Sequence, residues 1–449
     1  MKKKYNDLFK SIVKSYYEGT FDEKINELLS NTNIDKNDLA AVISSLCGVN
    51  VDFSKNYLND LKKAIETYKT SHKVVEKVKH CSMDCIDKNG KTLCQKSCPF
   101  DAILLDKENH TTYIDEDKCT DCGFCVEGCT TGGILDKVEF LPLANLLKSN
   151  SPVIASVAPA ISGQFGDNVS MNQLRSAFKK IGFTDMIEVS FFADMLTLKE
   201  AVEFDHHIKN ENDFMITSCC CPMWVGMLSK IYDNLVKDVS PSVSPMIASG
   251  RVLKKLNTEC KVVFVGPCIA KKAEAKQPGI SGAIDFVLTF EELKSIFDSL
   301  NIKPEELAED TAVEYASKGG RLYARTGGVS IAVAEAIERI FPKKYENLTT
   351  VQANGVKECK EILSKAEKGE IKANFIEGMG CIGGCVGGPK SIIPREKGKE
   401  MVDAYAEASE IKVAVDSECM KDILKRIGIE SIEDFKSKEK VSIFEREFK

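Results

Sequence analysis

The chain has 449 residues, with 61 Lys and Arg against 67 Asp and Glu and a formal net charge of −6. At ~150 residues per domain that length allows about three domains, and the near-balance of charge argues against a nucleic-acid scaffold, which needs a basic field. The opening Met1-Lys2-Lys3-Lys4-Tyr5 lacks the apolar core of a secretory signal, and no apolar run approaches the ~20 residues of a membrane span, so a cytoplasmic protein is expected.

Residues 1–76 read as a helical N-terminal segment. Apolar residues recur at helical spacing at Leu8, Ile12, Val13 and Tyr16, then at Ile25, Leu28 and Leu29. Leu39, Val42, Ile43 and Leu46 suit a further helix with Asp35 as its cap. A turn over Asn50 to Ser54 precedes Leu58, Leu61 and Ile65. The segment reads as a packing module, with a docking surface for a redox partner as the alternative. Cys47 stands alone and reads as a small buried apolar residue.

Cysteine is the anomaly of the composition. The chain holds 18, and eleven of them lie between Cys81 and Cys221. In an intracellular protein such clustering favours thiol chemistry or metal binding over structural disulfides. Residues 77–138 carry two groups of four, and Cys98-Pro99-Phe100-Asp101-Ala102-Ile103 is echoed by Cys129-Thr130-Thr131-Gly132-Gly133-Ile134. The second group, Cys119, Cys122, Cys125 and Cys129, has the tight spacing of a 4Fe-4S site. A four-thiolate zinc site would more usually pair two knuckles across a longer loop. The first group, Cys81, Cys85, Cys94 and Cys98, is more widely spaced but ends in the Cys98-Pro99 step expected of a second cluster.

Residues 139–410 alternate short apolar runs with helical patterns, which predicts an α/β domain. The runs are Val153–Val157, Phe214–Ile216, Lys261–Val265 and Ala373–Ile376, with helices over Asn172–Ile181 and Ile331–Ile340 among those between them. Each run leads directly into chemically loaded residues, as expected where ligands gather beyond strand ends. Residues 411–449 read as a helical tail on the surface without chemistry.

Three segments of the α/β region supply a second set of thiols. They are Thr217-Ser218-Cys219-Cys220-Cys221-Pro222-Met223-Trp224, Gly266-Pro267-Cys268-Ile269-Ala270-Lys271-Lys272-Ala273-Glu274, and Glu377-Gly378-Met379-Gly380-Cys381-Ile382-Gly383-Gly384-Cys385-Val386-Gly387-Gly388-Pro389. Adjacent side chains diverge, so the three neighbouring cysteines do not all point into one site. Lys271 lies three residues after Cys268, which puts an ammonium on the same helical face as the thiol.

Together these segments resemble the three signature motifs of the iron-iron hydrogenases, over about residues 77 to 410. The triple cysteine and the altered third motif look most like the clostridial group B branch. The resemblance implies an α/β H-cluster domain with strands feeding a central cofactor site, preceded by a ferredoxin-like domain with two 4Fe-4S clusters. The H-cluster is a 4Fe-4S cubane bridged by a cysteine sulfur to a two-iron unit bearing carbon monoxide, cyanide and azadithiolate. By motif, Cys221, Cys268, Cys381 and Cys385 hold the cubane, with Cys385 as the bridge. Cys221 is chosen because it directly precedes Pro222. By the same resemblance, Cys81, Cys85, Cys94 and Cys129 hold one ferredoxin-type cluster and Cys98, Cys119, Cys122 and Cys125 the other. Lys271 is assigned to a cyanide, with Glu274 supporting it. Pro159, Ala160, Met379, Gly266, Pro267, Met246 and Tyr323 are assigned to the cofactor's surroundings.

A proton path is also implied, running from Cys220 through water to Glu200, Ser240 and Glu203 and out to the surface. Glu200 and Glu203 are spaced to share a helical face, and Ser242 and Ser244 compete with Ser240 for the middle place. Several positions depart from the common family pattern. Gly266 stands for a methionine, Gly380 for an alanine, Met246 for a glutamine and Tyr323 for a phenylalanine, so altered packing around the two-iron unit is expected. Cys219 is an added thiol, either packing or a second group near the protonation site. Cys260, Cys359 and Cys419, and the pair His206-His207, receive no cofactor role.

The implied activity is reversible interconversion of protons plus electrons with dihydrogen, in anaerobic hydrogen metabolism. Expected partners are a ferredoxin or flavodoxin and the hydrogenase maturation proteins. The competing readings are a hydrogenase-like electron-transfer or cluster-assembly protein lacking the two-iron unit, and a low-turnover hydrogen sensor.

Overall fold

The computed structural model describes residues 3–30, 35–69, 73–81, 84–106, 108–149, 151–218, 220–313 and 315–448; Cys219 lies outside them. Among these, helices Lys3–Glu18, Phe21–Leu29, Lys36–Leu46 and Tyr57–Glu66 open the chain. Asp35 caps the third, its carboxylate accepting from the backbone N–H of Asn37 at 2.9 Å and of Asp38 at 3.0 Å. Phe9, Ile12, Val13, Ile25, Ile43 and Leu61 are fully buried, so one stripe of each helix faces inward. The first helix packs on helix Phe290–Ser299. Lys10 pairs with Asp298 at 2.6 Å, and the Tyr5 hydroxyl donates to the Gly132 carbonyl at 3.0 Å. The helical segment therefore touches both later parts of the chain. Cys47 is buried within it, and burial raises its thiol pKa.

The cysteine-rich part is two short antiparallel ladders: β1 (Val75–Lys77) with β4 (Ile134–Asp136), and β2 (Ile103–Asp106) with β3 (Thr111–Ile114). One-turn helices Leu93–Ser97 and Phe124–Gly128 carry Cys94 and Cys125 in equivalent places. Gly123 precedes the second with φ +81°, and a Cβ there would lie 2.5 Å from Ile269. Only glycine lets this loop settle on the residue that follows Cys268.

The α/β part holds two parallel sheets. Strands β5 (Val153–Val157), β6 (Asp185–Glu188), β8 (Lys261–Gly266) and β9 (Phe286–Thr289) run in the order β6-β5-β8-β9. Strands β7 (Met215–Ile216), β10 (Thr350–Asn354) and β11 (Phe375–Met379) form the second, in the order β10-β11-β7. The apolar runs read from the sequence are β5, β7, β8 and β11, and the helices expected near residues 172–181 and 331–340 are Met171–Ile181 and Gly328–Ile340. Residues just past the carboxyl ends of these strands include Pro159, Thr217, Pro267, Cys268, Gly380 and Cys381.

Buried charge joins the cysteine-rich part to the α/β part. Lys272 is fully buried and pairs with Asp136 at 2.8 Å and Glu292 at 2.5 Å. Lys390, equally hidden, pairs with Glu127 at 2.7 Å and Glu291 at 3.4 Å. Against the effect of its own burial, Asp136 is held below the usual carboxylate range by Lys272 and Lys390.

Candidate cluster sites and cofactor pocket

The eight cysteines of the small part separate into two groups in space. Cys98, Cys119, Cys122 and Cys125 line one cavity of about 290 Å³ of non-atom space, and Cys81, Cys85, Cys94 and Cys129 line another of about 400 Å³. Each group takes one thiol across the sequence boundary between the two cysteine runs. Among the described residues no three His, Cys, Asp or Glu side chains converge tightly enough for a single ion; the thiols enclose a space instead. Backbone N–H groups aim at the sulfurs: Ala102 at Cys98 over 3.2 Å, Asp121 at Cys119 over 3.4 Å and Gly133 at Cys129 over 3.2 Å. Such donors stabilise charge on sulfur and tune a bound cluster. Cys129 shows the effect, since the Thr131 hydroxyl and neighbouring backbone amides lower its pKa even though burial raises it. Burial pushes Cys122 up to about 12. Four-thiol cavities with amide donors fit iron-sulfur clusters.

In the α/β part, Cys221, Cys268, Cys381 and Cys385 come together from three chain segments. Burial drives the Cys268 thiol up to about 12, and Cys221 and Cys385 push it in the same direction. Cys381 is raised by burial and then by Cys268, Cys221 and Cys385, with Cys122 of the neighbouring cluster cavity close enough to contribute. Mutual repulsion of this kind is what four thiolates suffer without cations among them. The Gly380 N–H donates to Cys221 sulfur at 3.4 Å. This donor set also fits a cubane.

Beside Cys385 lies a second cavity of about 400 Å³ of non-atom space. Its wall includes Ala158, Pro159, Cys220, Met246, Phe264, Lys271, Tyr323 and Cys385. Lys271 is buried, donates to the Cys220 carbonyl at 2.9 Å and pairs with Glu274 at 2.6 Å. Burial works to discharge Lys271, but Glu274 and Cys220 outweigh it and its pKa is raised. Cys385 is lowered by a hydrogen bond with Cys220, against burial, and by Lys271. The cavity wall is thus largely apolar, with the Lys271 ammonium, the thiols of Cys220 and Cys385 and the Ser190 hydroxyl as its polar groups, a setting suited to a compact anionic group.

Helix Ser190–His207 carries the two carboxylates, Glu200 and Glu203. Glu200 is fully buried, and the Thr217 hydroxyl lies 2.7 and 2.9 Å from its two oxygens. Burial, followed by the charge of Glu203, raises its pKa to about 7. Ser240 donates to Glu203 at 2.6 Å and also acts on Glu200. Ser240 and Ser242 hydroxyls are 2.8 Å apart, and the Lys199 ammonium donates to Ser242 at 3.2 Å. Each hydroxyl has one proton, so the order of donation is Lys199 to Ser242 to Ser240 to Glu203. Lys199 also pairs directly with Glu203. Glu203 opens into a surface cleft shared with His206, His207, Asp238 and Glu445.

The profile of the iron only hydrogenase large subunit, C-terminal domain, matches residues 151–389, more than half of the chain. The chain belongs to that family. A 4Fe-4S dicluster domain matches residues 78–133. Iron hydrogenase 1 of Clostridium pasteurianum is 26% identical over 389 residues, covering 67% of this chain and 68% of the relative. Cytosolic iron-sulfur assembly component 3 of Bos taurus is 23% identical over 361 residues, covering 66% and 75%. A solved [FeFe]-hydrogenase structure concerned with stepwise H-cluster assembly superposes with a TM-score of 0.57 at 22% identity, covering 68% of this chain and 97% of that one. The fold is that of an H-cluster domain with a ferredoxin-like unit, and no helix among the described residues is long and apolar enough to cross a membrane.

The cavity takes in some of the expected residues and not others. Pro159, Met246, Lys271, Tyr323, Cys220 and Cys385 line the cavity, whereas Ala160, Gly266, Pro267 and Met379 are not part of its described wall. At Gly266 a Cβ would lie 2.6 Å from the ring of Phe264. The loss of bulk expected there does not leave a gap, because Phe264 fills the space from two residues upstream. A Cβ at Gly380 would likewise lie 2.8 Å from Met223. Cys359 is buried with its sulfur 3.5 Å from the Met379 carbonyl. The reading of the tail as purely superficial is corrected by Arg446, which is buried against Glu274. Thr217, Lys199 and Phe264 received no role from the sequence, and Ser242, named there as a competitor of Ser240, joins it in one hydrogen-bonded chain. Of the first three only Lys199 carried a local signal, its spacing of four residues from Glu203.

Proposed function

We propose that this protein is a hydrogenase that interconverts dihydrogen with protons and electrons, passing electrons through two 4Fe-4S clusters to a ferredoxin-type carrier. The carrying observation is the cavity beside Cys385, furnished with Lys271, Cys220 and Pro159 and adjoining a four-thiol site. A cluster-assembly or plain electron-transfer protein has no use for a buried ammonium facing such a space.

In this reading Cys221, Cys268, Cys381 and Cys385 hold a cubane, and the two-iron unit occupies the cavity beside it. When bound, that unit supplies the metal and the amine at which dihydrogen is made or split. Lys271 holds an anionic ligand by a charge-assisted hydrogen bond. Pro159, Phe264, Met246 and Tyr323 keep water from the cavity. Cys220 carries the proton at its sulfur. Glu200 takes it next, its pKa raised to about 7 by burial and by Glu203, and Ser240 hands it to Glu203 at the cleft. The cavity lined by Cys122 stands nearest Cys381, which makes its cluster the proximal one; the cavity lined by Cys81 takes electrons from the carrier.

The test is infrared spectroscopy of anaerobically matured protein in the region of metal-bound carbonyl and cyanide. Bands that shift under dihydrogen support the reading. Silence, with a control enzyme matured in parallel and all three cubanes present, overturns it in favour of an electron-transfer role or of the iron-sulfur assembly role that the Bos taurus relative's name prints.

A further inference from the structure

Residues 442–446 carry no motif, yet they reach Glu274, the carboxylate that pairs with Lys271. After the turn Ser442–Phe444, the Val243 N–H donates to the Phe444 carbonyl and the Arg446 N–H to the Pro241 carbonyl, each at 2.8 Å. The tail is thereby stitched along residues 241–243. From this anchorage the Arg446 guanidinium donates to the Ser242 carbonyl at 3.1 Å and pairs with Glu274 at 3.1 Å. Its side chain is 5% exposed, that of Glu274 1%.

Glu274 therefore has a cation on each oxygen: Lys271 on Oε2 at 2.6 Å and Arg446 on Oε1 at 3.1 Å. An ammonium has three donors. Glu274 takes one and the Cys220 carbonyl another, which leaves one for the cavity. Were Lys271 the sole partner of Glu274, drawing it toward an anion in the cavity would strip a buried carboxylate of its compensation, which is strongly unfavourable. A guanidinium fixed by the backbone removes that conflict.

We propose that Arg446 is a positioning residue that holds Glu274 from behind, so that Lys271 can present its charge to an anionic ligand in the cavity. This rests on the reading of the cavity as the seat of the cyanide-bearing unit. Glu445 pairs with Lys199 at 3.4 Å, so the same strap also borders the proton arm.

The experiment compares wild type, Arg446→Gln and Arg446→Lys, each with its cubanes, before and after maturation. In Arg446→Gln the cyanide bands should move, and the two-iron unit loaded per cubane should fall about tenfold, the lower end for loss of a group supporting a metal ligand. Arg446→Lys should restore most of both. Bands and loading unchanged in Arg446→Gln overturn the proposal. If wild type itself shows no bands, the proposed function fails, and crystal structures of the unmatured proteins decide the inference: Lys271 drawn further onto Glu274 in Arg446→Gln supports it, and an unmoved pair overturns it. If Arg446→Gln does not fold, the double variant with Glu274→Gln should fold again, since no buried carboxylate is left to compensate; failure to recover overturns the proposal.

Discussion

The cluster unit takes its eight thiols from one stretch of chain, Cys81 to Cys129, whereas the pocket draws Cys221, Cys268, Cys381 and Cys385 from beyond three strands in two sheets. In the first, the ligands are arranged by tight turns that the local sequence dictates. In the second, nothing local brings the thiols together, and sheet register does the work. The second region also carries buried charge close to its thiols: Lys271 and Glu274, then Lys199 and Glu200. Local ligation confines damage, while long-range ligation spreads it.

The largest expected effect tests that contrast directly. Cys385→Ala should remove the pocket cubane, all carbonyl and cyanide bands and all turnover, because one residue serves both halves of the proposed cofactor. Cys81→Ala should remove only one cluster, about four iron atoms by analysis, and leave those bands in place. Loss of the bands in Cys81→Ala would erase the distinction.

Glu200→Gln should come next. Turnover should fall about 10²- to 10⁴-fold, as for removal of a proton-transferring group, with infrared bands unchanged. The same variant has a signature in stability. The folded protein keeps the Glu200 proton to about pH 7, while a free carboxyl releases it near 4.5. Over that window the folded state binds more protons, so this group's contribution to stability declines as pH rises. Chemical denaturation of Glu200→Gln should show a weaker decline between these pH values than wild type.

A smaller effect concerns the pocket wall. Gly266→Met drives a side chain into the Phe264 ring and should cost about 1–3 kcal/mol as overpacking. Adding Phe264→Ala should recover much of that loss, a coupling visible in a double-mutant cycle. Additive losses would mean that the two residues do not share the space. Asp35→Ala, far from either region, should cost only ~1 kcal/mol of stability through the lost cap and leave turnover untouched, as read by thermal melting beside a hydrogen assay.

Much of this was legible from one sequence. The apolar runs at β5, β8 and β11 announced themselves because parallel strands buried on both faces are continuously apolar. Asp35 was legible because capping is local. The thiols of the cluster unit were legible because their spacing is chemistry in one dimension, whereas those of the pocket were assigned only through the family resemblance. Lys199, Thr217 and Phe264 were not legible, since their meaning lies in what stands opposite. Arg446 is the extreme case: 172 positions separate it from Glu274, and a basic residue in a polar tail looks like any other until the fold closes over it. The packing at Gly266 was open for a related reason, because a family pattern shows which bulk is missing but not which neighbour replaces it.

One consequence follows for anyone who would graft. Lys272 leans on Asp136, and Lys390 on Glu127, across the seam between the cysteine-rich unit and the α/β part, while Gly123 rests on Ile269 with no room for a side chain. A cluster unit borrowed from a relative would bring its own surface to that seam and leave Lys272 with Glu292 alone and Lys390 with Glu291 alone. The small unit is no interchangeable plug here; it is soldered to the part it adjoins.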